Sequence, residues 1–232
     1  MKKKEADLSG TFLYRHCARS WWPALDAQAE VRHYKPGEVL FSENEAVTHI
    51  YFMVNGLVKV QKSWSSEKEL IIRFAKDNDI LGHRGIATHS AIYPVTAIAL
   101  QKTVVCAINL NLFKDTLLSN PGFIYHFMMF FADELMLSEE RMRDLVQMQA
   151  RERVAKAIGI LAEKIGAAGT DNLFSFTISR QDLASFTGTT YETVYKTLIE
   201  FSSNGWISTK GKTLTVLQPG ALQAAWNIMA RF

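Results

Sequence analysis

A chain of 232 residues with 48 % hydrophobic content is long enough for one large or two modest domains with real cores, and a net charge of +3 excludes a polycation that coats nucleic acid in bulk. Cys17 and Cys106 stand alone without a C-x-x-C pair, which argues against a disulfide framework or a cysteine-rich metal site and fits a reducing cytoplasm. No run approaches the roughly 18 apolar residues of a membrane span, and Met1-Lys2-Lys3-Lys4 leads into Glu5-Ala6-Asp7 where a signal peptide requires apolar residues.

Residues 11–34 mix Phe12, Tyr14, Trp21 and Trp22 around Pro23 and predict one or two short helices, with both tryptophans serving as core. From Lys35 the texture changes to short β-rich runs: Val39 to Phe41, His49 to Val54, Leu57 to Lys62, Leu70 to Phe74, Ile80-Leu81, Val95 to Leu100 and Val104 to Ile108. Asn55-Gly56 between two such runs predicts a type I′ hairpin. So many short strands imply a sandwich or closed roll, placed here at residues 12–118.

Ser119-Asn120-Pro121 reads as a helix start, with Asn120 as cap and Pro121 in the first turn, and the helix is expected over residues 120–149. Along it Ile124, Met128, Phe131, Leu135, Ser138, Met142 and Leu145 recur at alternating spacings of four and three, the pattern of a two-helix seam. Phe123, Phe127 and Phe130 mark a second face suited to the roll. The seam predicts a homodimer.

The remaining segment, 150–232, carries nine basic and six acidic side chains. Were a module with so small an excess to bind nucleic acid at physiological salt, it would need local clustering, and two copies. After a first helix over Arg151 to Ile165, closed by Gly166-Ala167-Ala168-Gly169, Ser179-x-x-Asp182 opens a short helix that should end near Gly188. Thr189 or Thr190 then caps a second helix, with Thr189-x-x-Glu192 at capping-box spacing. Leu183, Phe186, Val194, Leu198 and Phe201 face a small core, leaving Thr189, Tyr191, Glu192, Tyr195 and Lys196 outward. Two strands flanking Lys210-Gly211-Lys212 add a hairpin with a basic tip, so the unit reads as a winged helix-turn-helix.

The stretch from Phe176 to Leu217 resembles the DNA-binding module of the Crp/Fnr superfamily of bacterial transcription regulators: Ser-Arg-Gln-Asp-Leu-Ala, the glycine before the second helix, Glu-Thr-Val and Gly-Lys-Thr stand in family order. Lys-Pro-Gly-Glu-Val-Leu-Phe, Ile-Tyr-Phe-Met-Val-Asn-Gly-Leu-Val-Lys-Val, Asp-Ile-Leu-Gly and Thr-Ala likewise resemble that superfamily's cyclic-nucleotide-binding roll. The resemblance implies an α+β chain: an N-terminal antiparallel, jelly-roll-like β-roll that senses an effector, a long dimerisation helix, and a C-terminal winged helix-turn-helix. It implies no enzyme, a pseudo-palindromic double-stranded operator, and RNA polymerase as a further partner. Thr190, Tyr191, Glu192 and Lys196 are the candidates for bases or phosphates, Ser179, Arg180 and Thr189 for the backbone, and Lys210 and Lys212 for the wing. Glu192 either accepts from cytosine N4 or closes the helix cap. The family usually has arginine where Tyr191 stands, so the operator should depart from the family's.

The cassette that holds a cyclic nucleotide in such proteins carries a Gly-Glu pair and an arginine before Ser/Thr-Ala; here Gly82 precedes His83-Arg84, and Tyr93-Pro94-Val95 precedes Thr96-Ala97. Both anchors are missing, which argues against cyclic AMP or GMP. Arg73, Gly82, His83, Arg84 and Thr96 are the candidate residues for an unidentified small effector, Arg84 alternatively pairing with Asp77 or Asp79. His83 and His89 raise haem or metal, without further ligands at metal spacing, and Cys17 alone cannot supply the cluster of the family's oxygen sensors. An effector-independent DNA-binding dimer and a cupin-like metalloenzyme are the rival readings.

Overall fold

The β-rich runs pair into two antiparallel sheets in the computed structural model, which describes residues 6–65, 68–86, 91–168 and 173–226. The chain folds as two units that divide between Leu135 and Met136. In the first, α1 (Phe12–His16), a 3-10 turn (Arg19–Trp21) and α2 (Trp22–Gln28) precede β1 (Glu30–Tyr34), β2 (Val39–Phe41), β3 (His49–Asn55), β4 (Val58–Ser65), β5 (Lys68–Ala75), β6 (Ile80–Leu81), β7 (Thr96–Ala99) and β8 (Thr103–Asn109). One sheet has the order β1-β8-β3-β6 and the other β2-β7-β4-β5. Their apolar faces enclose a core containing Ile50, Phe52, Val58, Val60, Ala97, Val105 and Ala107. Burying such side chains is worth about 1.5–3 kcal/mol each and sets the register, because a one-residue slip would turn them to solvent.

The Asn55-Gly56 hairpin is not formed. Strands β3 and β4 lie in different sheets, so the chain crosses from one layer to the other at Gly56, whose φ is +118°. A Cβ there would stand 2.5 Å from Thr103 Oγ1, so the glycine answers a close backbone approach, not a two-residue turn. β1 was expected as helix; its sequence Glu-Val-Arg-His-Tyr carries no apolar alternation, and pairing with β8 makes it a strand. Both tryptophans pack half-buried against the core, and Trp21 Nε1 donates to Thr116 Oγ1 at 3.1 Å.

Next come α3 (Leu110–Ser119), capped by Asn109, and α4 (Pro121–Gln147). Asn120, at the start of α4, also ties the amino-terminal segment to α3: its Oδ1 accepts from Ala18 N–H and its Nδ2 donates to the Thr116 carbonyl. Phe123 and Phe127 are buried in the roll core, with ring centroids 6.1 and 5.2 Å from Phe113.

The second unit holds α5 (Ala150–Ile165), β9 (Ala167–Ala168), β10 (Phe174–Thr177), α6 (Arg180–Thr187), α7 (Tyr191–Ser203), β11 (Ile207–Lys210), β12 (Thr213–Val216) and α8 (Pro219–Trp226). Gly166 ends α5, while Ala167 and Ala168 form an edge strand, and Gly169 lies outside the described residues. The wing is wider than the two expected strands: the sheet order is β11-β12-β10-β9. Phe-Ser-Phe-Thr at β10 does alternate, and only its brevity hid it.

Candidate nucleic-acid interface and sensor cassette

Local chemistry fixes the helix-turn-helix. Ser179 Oγ accepts from Asp182 N–H at 2.9 Å and donates to Asp182 Oδ2 at 2.6 Å, starting α6. Gly188 ends it at φ +61°, ψ +42°, a left-handed conformation costly to any side chain. The last carbonyls of α6 are then taken by two arginines that sequence reasoning missed. Arg141 donates to the Phe186 carbonyl at 2.6 Å with its guanidinium over the Phe186 ring, and Arg153 donates to the Thr187 and Gly188 carbonyls at 2.8 and 3.2 Å. A Cβ on Gly188 would meet Leu145 Cδ2 at 2.7 Å. Gly188→Val is therefore expected to destabilise the second unit by about 2 kcal/mol through backbone strain and that clash, read as an earlier urea midpoint in Trp206 fluorescence; an unchanged midpoint would refute the assignment.

α7 is capped by Thr190, whose Oγ1 accepts from Thr193 N–H at 3.2 Å, so the Thr189–Glu192 capping box is one residue out of register. Glu192 instead pairs with Lys196 at 2.7 Å, one helical turn on, with both side chains about three-quarters exposed. Tyr191 and Tyr195 stack nearly parallel, their centroids 6.3 Å apart. Tyr191, Glu192, Tyr195 and Lys196 thus form one outward face, with Thr189 half-buried at its edge, while Val194, Leu198 and Phe201 are buried and Phe186 is half-buried beneath Arg141. Lys210 and Lys212 are exposed around Gly211. Arg180 donates to the Gly211 carbonyl, tying the wing tip to the start of α6. That contact occupies a side chain expected on the DNA backbone.

The seam residues divide. Ile124, Met128, Phe131, Leu135 and Met142 are exposed along α4, while Ser138 is half-buried and Leu145 is spent against the Gly188 turn.

In the first unit, Gly82 takes φ +83° and turns the chain into a 3-10 turn, His83–Gly85. Gly82, His83, Arg84 and Arg73 line, with Phe41, Val60, Leu81, Tyr93, Pro94 and Val95, a cavity of about 10 Å³, the scale of one water molecule. Thr96 is not part of that lining; its hydroxyl accepts from Glu43 N–H at 2.9 Å. Arg84 does not pair with Asp77, which accepts from Gly56 N–H, or with Asp79, which accepts from Lys76 N–H. Its partner is Glu134 of α4, at 2.7 Å, and Arg73 reaches the same carboxylate at 2.8 Å. Burial alone would raise the Glu134 pKa, but His83 and the two guanidiniums override it and hold the carboxyl well below its usual range. His83 is 2 % exposed, edged by Phe130 and Phe131, with Nε2 3.8 Å from Glu134 and, among the described residues, neither ring nitrogen hydrogen-bonded. Burial pushes its pKa down to about 4. His89 lies outside the described residues; among those described, no three His, Cys, Asp or Glu side chains cluster as metal ligands.

Residues 31–120 match the cyclic nucleotide-binding domain and residues 152–225 the Crp-like helix-turn-helix domain. The chain is 28 % identical over 200 residues to the transcriptional activator protein Anr of Pseudomonas protegens, covering 84 % of this chain and 81 % of that protein. It is 24 % identical over 209 residues to the anaerobic regulatory protein of Bacillus subtilis, covering 90 % and 84 %. The chain belongs to the Crp/Fnr family of transcription regulators. Among solved structures, FixK2 from Bradyrhizobium japonicum shares the fold at TM-score 0.75 and 22 % identity, over 85 % of this chain and 96 % of that one. The c-di-GMP responsive regulator CLP of Xanthomonas campestris does so at TM-score 0.75 and 18 % identity, over 86 % and 99 %. As a Crp/Fnr member the chain is a DNA-binding regulator and not an enzyme, which sets the cupin-like reading aside. No helix among the described residues is long and apolar enough to cross a membrane.

Proposed function

We propose that this Crp/Fnr regulator acts in the cytoplasm as a homodimer that reads a pseudo-palindromic operator, with residues 12–118 as sensor, 120–149 as dimerisation helix and 150–232 as DNA-binding domain. The observation that carries it is the outward face of α7, where Tyr191, Tyr195 and the Glu192–Lys196 pair stand clear of the core beside the exposed wing lysines. Such a helix enters the major groove, and a symmetric pair sets two of them about 34 Å apart. The exposed apolar stripe of α4 supports the pairing, since a helix with one face on its own roll and another apolar face bare needs a partner. RNA polymerase is the further partner of the bound dimer.

Base reading then falls to Thr190, Tyr191, Glu192 and Lys196, with Ser179 and Thr189 toward the backbone. Tyr191 offers a ring to a thymine methyl and one hydroxyl, not the bidentate fork an arginine gives guanine, so the selected half-site should lack the guanine that such an arginine reads. Duplex selected from a random pool, titrated over a range of salt, tests the core claim. Lys196→Ala should weaken binding about ten-fold and lower the salt slope by about one. Unchanged affinity and slope would sink the proposed face.

A second reading, an effector-independent dimer, is favoured by the near-absence of space in the cassette. The two separate on whether any small molecule changes operator affinity.

A further inference from the structure

Two arginines from different parts of the roll converge on one carboxylate. Arg73 of β5 donates from Nη1 to Glu134 Oε1 at 2.8 Å, and Arg84 of the turn after β6 donates from Nη2 to Glu134 Oε2 at 2.7 Å. Each oxygen therefore has its own guanidinium, the arrangement by which proteins grip a carboxylate or phosphate. Arg73 also donates from Nη2 to the Ile80 carbonyl and has Asp79 Oδ1 3.8 Å from Nη1, contacts that fix its guanidinium on the roll. Beside the carboxylate sits His83, buried, its Nε2 3.8 Å from Glu134 Oε2, beyond hydrogen-bond reach, and its Nδ1 without a partner among the described residues. A buried polar group without a partner is destabilising by about 1–3 kcal/mol, so its presence beside a two-arginine grip asks for a further oxygen.

The carboxylate does not come from the roll. Glu134 belongs to α4, whose earlier turns are already anchored on the roll by Phe123 and Phe127. Its ion pairs therefore fasten only the later part of the helix in this unit, the turn bearing Phe131 and Leu135.

We propose that Arg73, Arg84 and His83 form an oxyanion site in which Glu134 is an internal ligand, and that the effector is a small carboxylate- or phosphate-bearing anion that binds by displacing Glu134. The inference rests on the reading of the roll as a sensor. It accounts for the closed cassette without requiring the absence of an effector: the anion's place is already taken by a side chain. It also accounts for the missing nucleotide anchors, because the charge that meets the anion comes from Arg73 and Arg84 and not from the position before Thr96-Ala97. The apparent affinity of such an anion is lowered by the fraction of molecules in which Glu134 has vacated the arginines. Removing the internal carboxylate removes that competition.

Isothermal titration with inorganic phosphate and, separately, with succinate tests this on the full chain. Glu134→Gln keeps the shape and loses the charge, and should bind one of the two probes at least about ten-fold more tightly than wild type. Adding Arg84→Gln should abolish the gain. If Glu134→Gln does not fold, Glu134→Asp draws the charge back by one methylene and should gain by about three-fold. Preference for phosphate or for succinate names the source of the oxyanion. A purely structural ion pair predicts lower stability and no anion binding, and if neither variant binds either probe more tightly than wild type the proposal is overturned. The same preparations are assayed on selected duplex: DNA binding without anion binding overturns only this inference, whereas no selected duplex overturns the function itself.

Discussion

Leu135→Glu together with Met142→Glu is expected to leave a folded monomer whose affinity for its selected duplex is about a hundred-fold or more below wild type. Both side chains lie on the bare stripe of α4, 62 % and 58 % exposed, so within one protomer they meet little but solvent. Surface changes of that kind shift stability by about 0.5 kcal/mol or less. Across a two-fold axis each glutamate faces its own symmetry mate in an apolar seam, adding like-charge repulsion to lost apolar burial. Monomers must then bind half-sites independently, losing the roughly millimolar effective concentration with which the first half-site presents the second. Sedimentation velocity over a concentration series, paired with duplex titration, gives the answer. A double variant that dimerises like wild type would remove the seam from the proposal.

The parts of this protein that were legible in the sequence are those fixed by neighbours a few residues apart. Ser179, Gly188 and the wing glycine Gly211 announce themselves because a cap or a left-handed backbone is a local demand, and the structure meets each of them. Even there the register slipped by one, since Thr189 and Thr190 offer equal caps and only packing of Val194 and Leu198 chooses Thr190. Asn55-Gly56 failed for the opposite reason: its dipeptide is a good hairpin, but the partner of β3 is β8, some fifty residues on, and non-local pairing overrode the turn. The Glu134 clamp was invisible because its carboxylate stands 61 and 50 positions from its two arginines. On α4 it reads as an ordinary solvated acid. Arg141 and Arg153 were hidden in the same way, serving carbonyls more than thirty positions downstream.

Acid should loosen the first unit well above the pH at which its carboxylates protonate, with His83 as the cause. Its folded-state pKa is pushed down to about 4 from an ordinary value near 6.5 because burial of the ring between Phe130 and Phe131 outweighs the opposing pull of Glu134, with the charges of Arg73 and Arg84 adding to the lowering. Between those values the unfolded chain takes up a proton that the folded chain refuses, so stability falls as pH drops from about 6.5 to about 4, by roughly 3 kcal/mol over the window. Glu134 is also lowered, by its charged partners and against its burial, so its slope has the same sign but lies at lower pH: it keeps its contribution until the pH falls under the value at which an unfolded glutamate titrates, and adds little slope above it. His16 and His49, lowered by partial burial, add smaller slopes of the same sign that solvent screens. The contribution of His83 is therefore taken as a difference. Urea unfolding is followed at pH 7, 5.5 and 4.5 in chains carrying Trp206→Phe and Trp226→Phe, so that emission comes from Trp21, Trp22 and Trp64 of the first unit. His83→Gln stays neutral throughout and should flatten most of the decline, and a variant that declines as steeply as wild type would show that the acid response lies elsewhere.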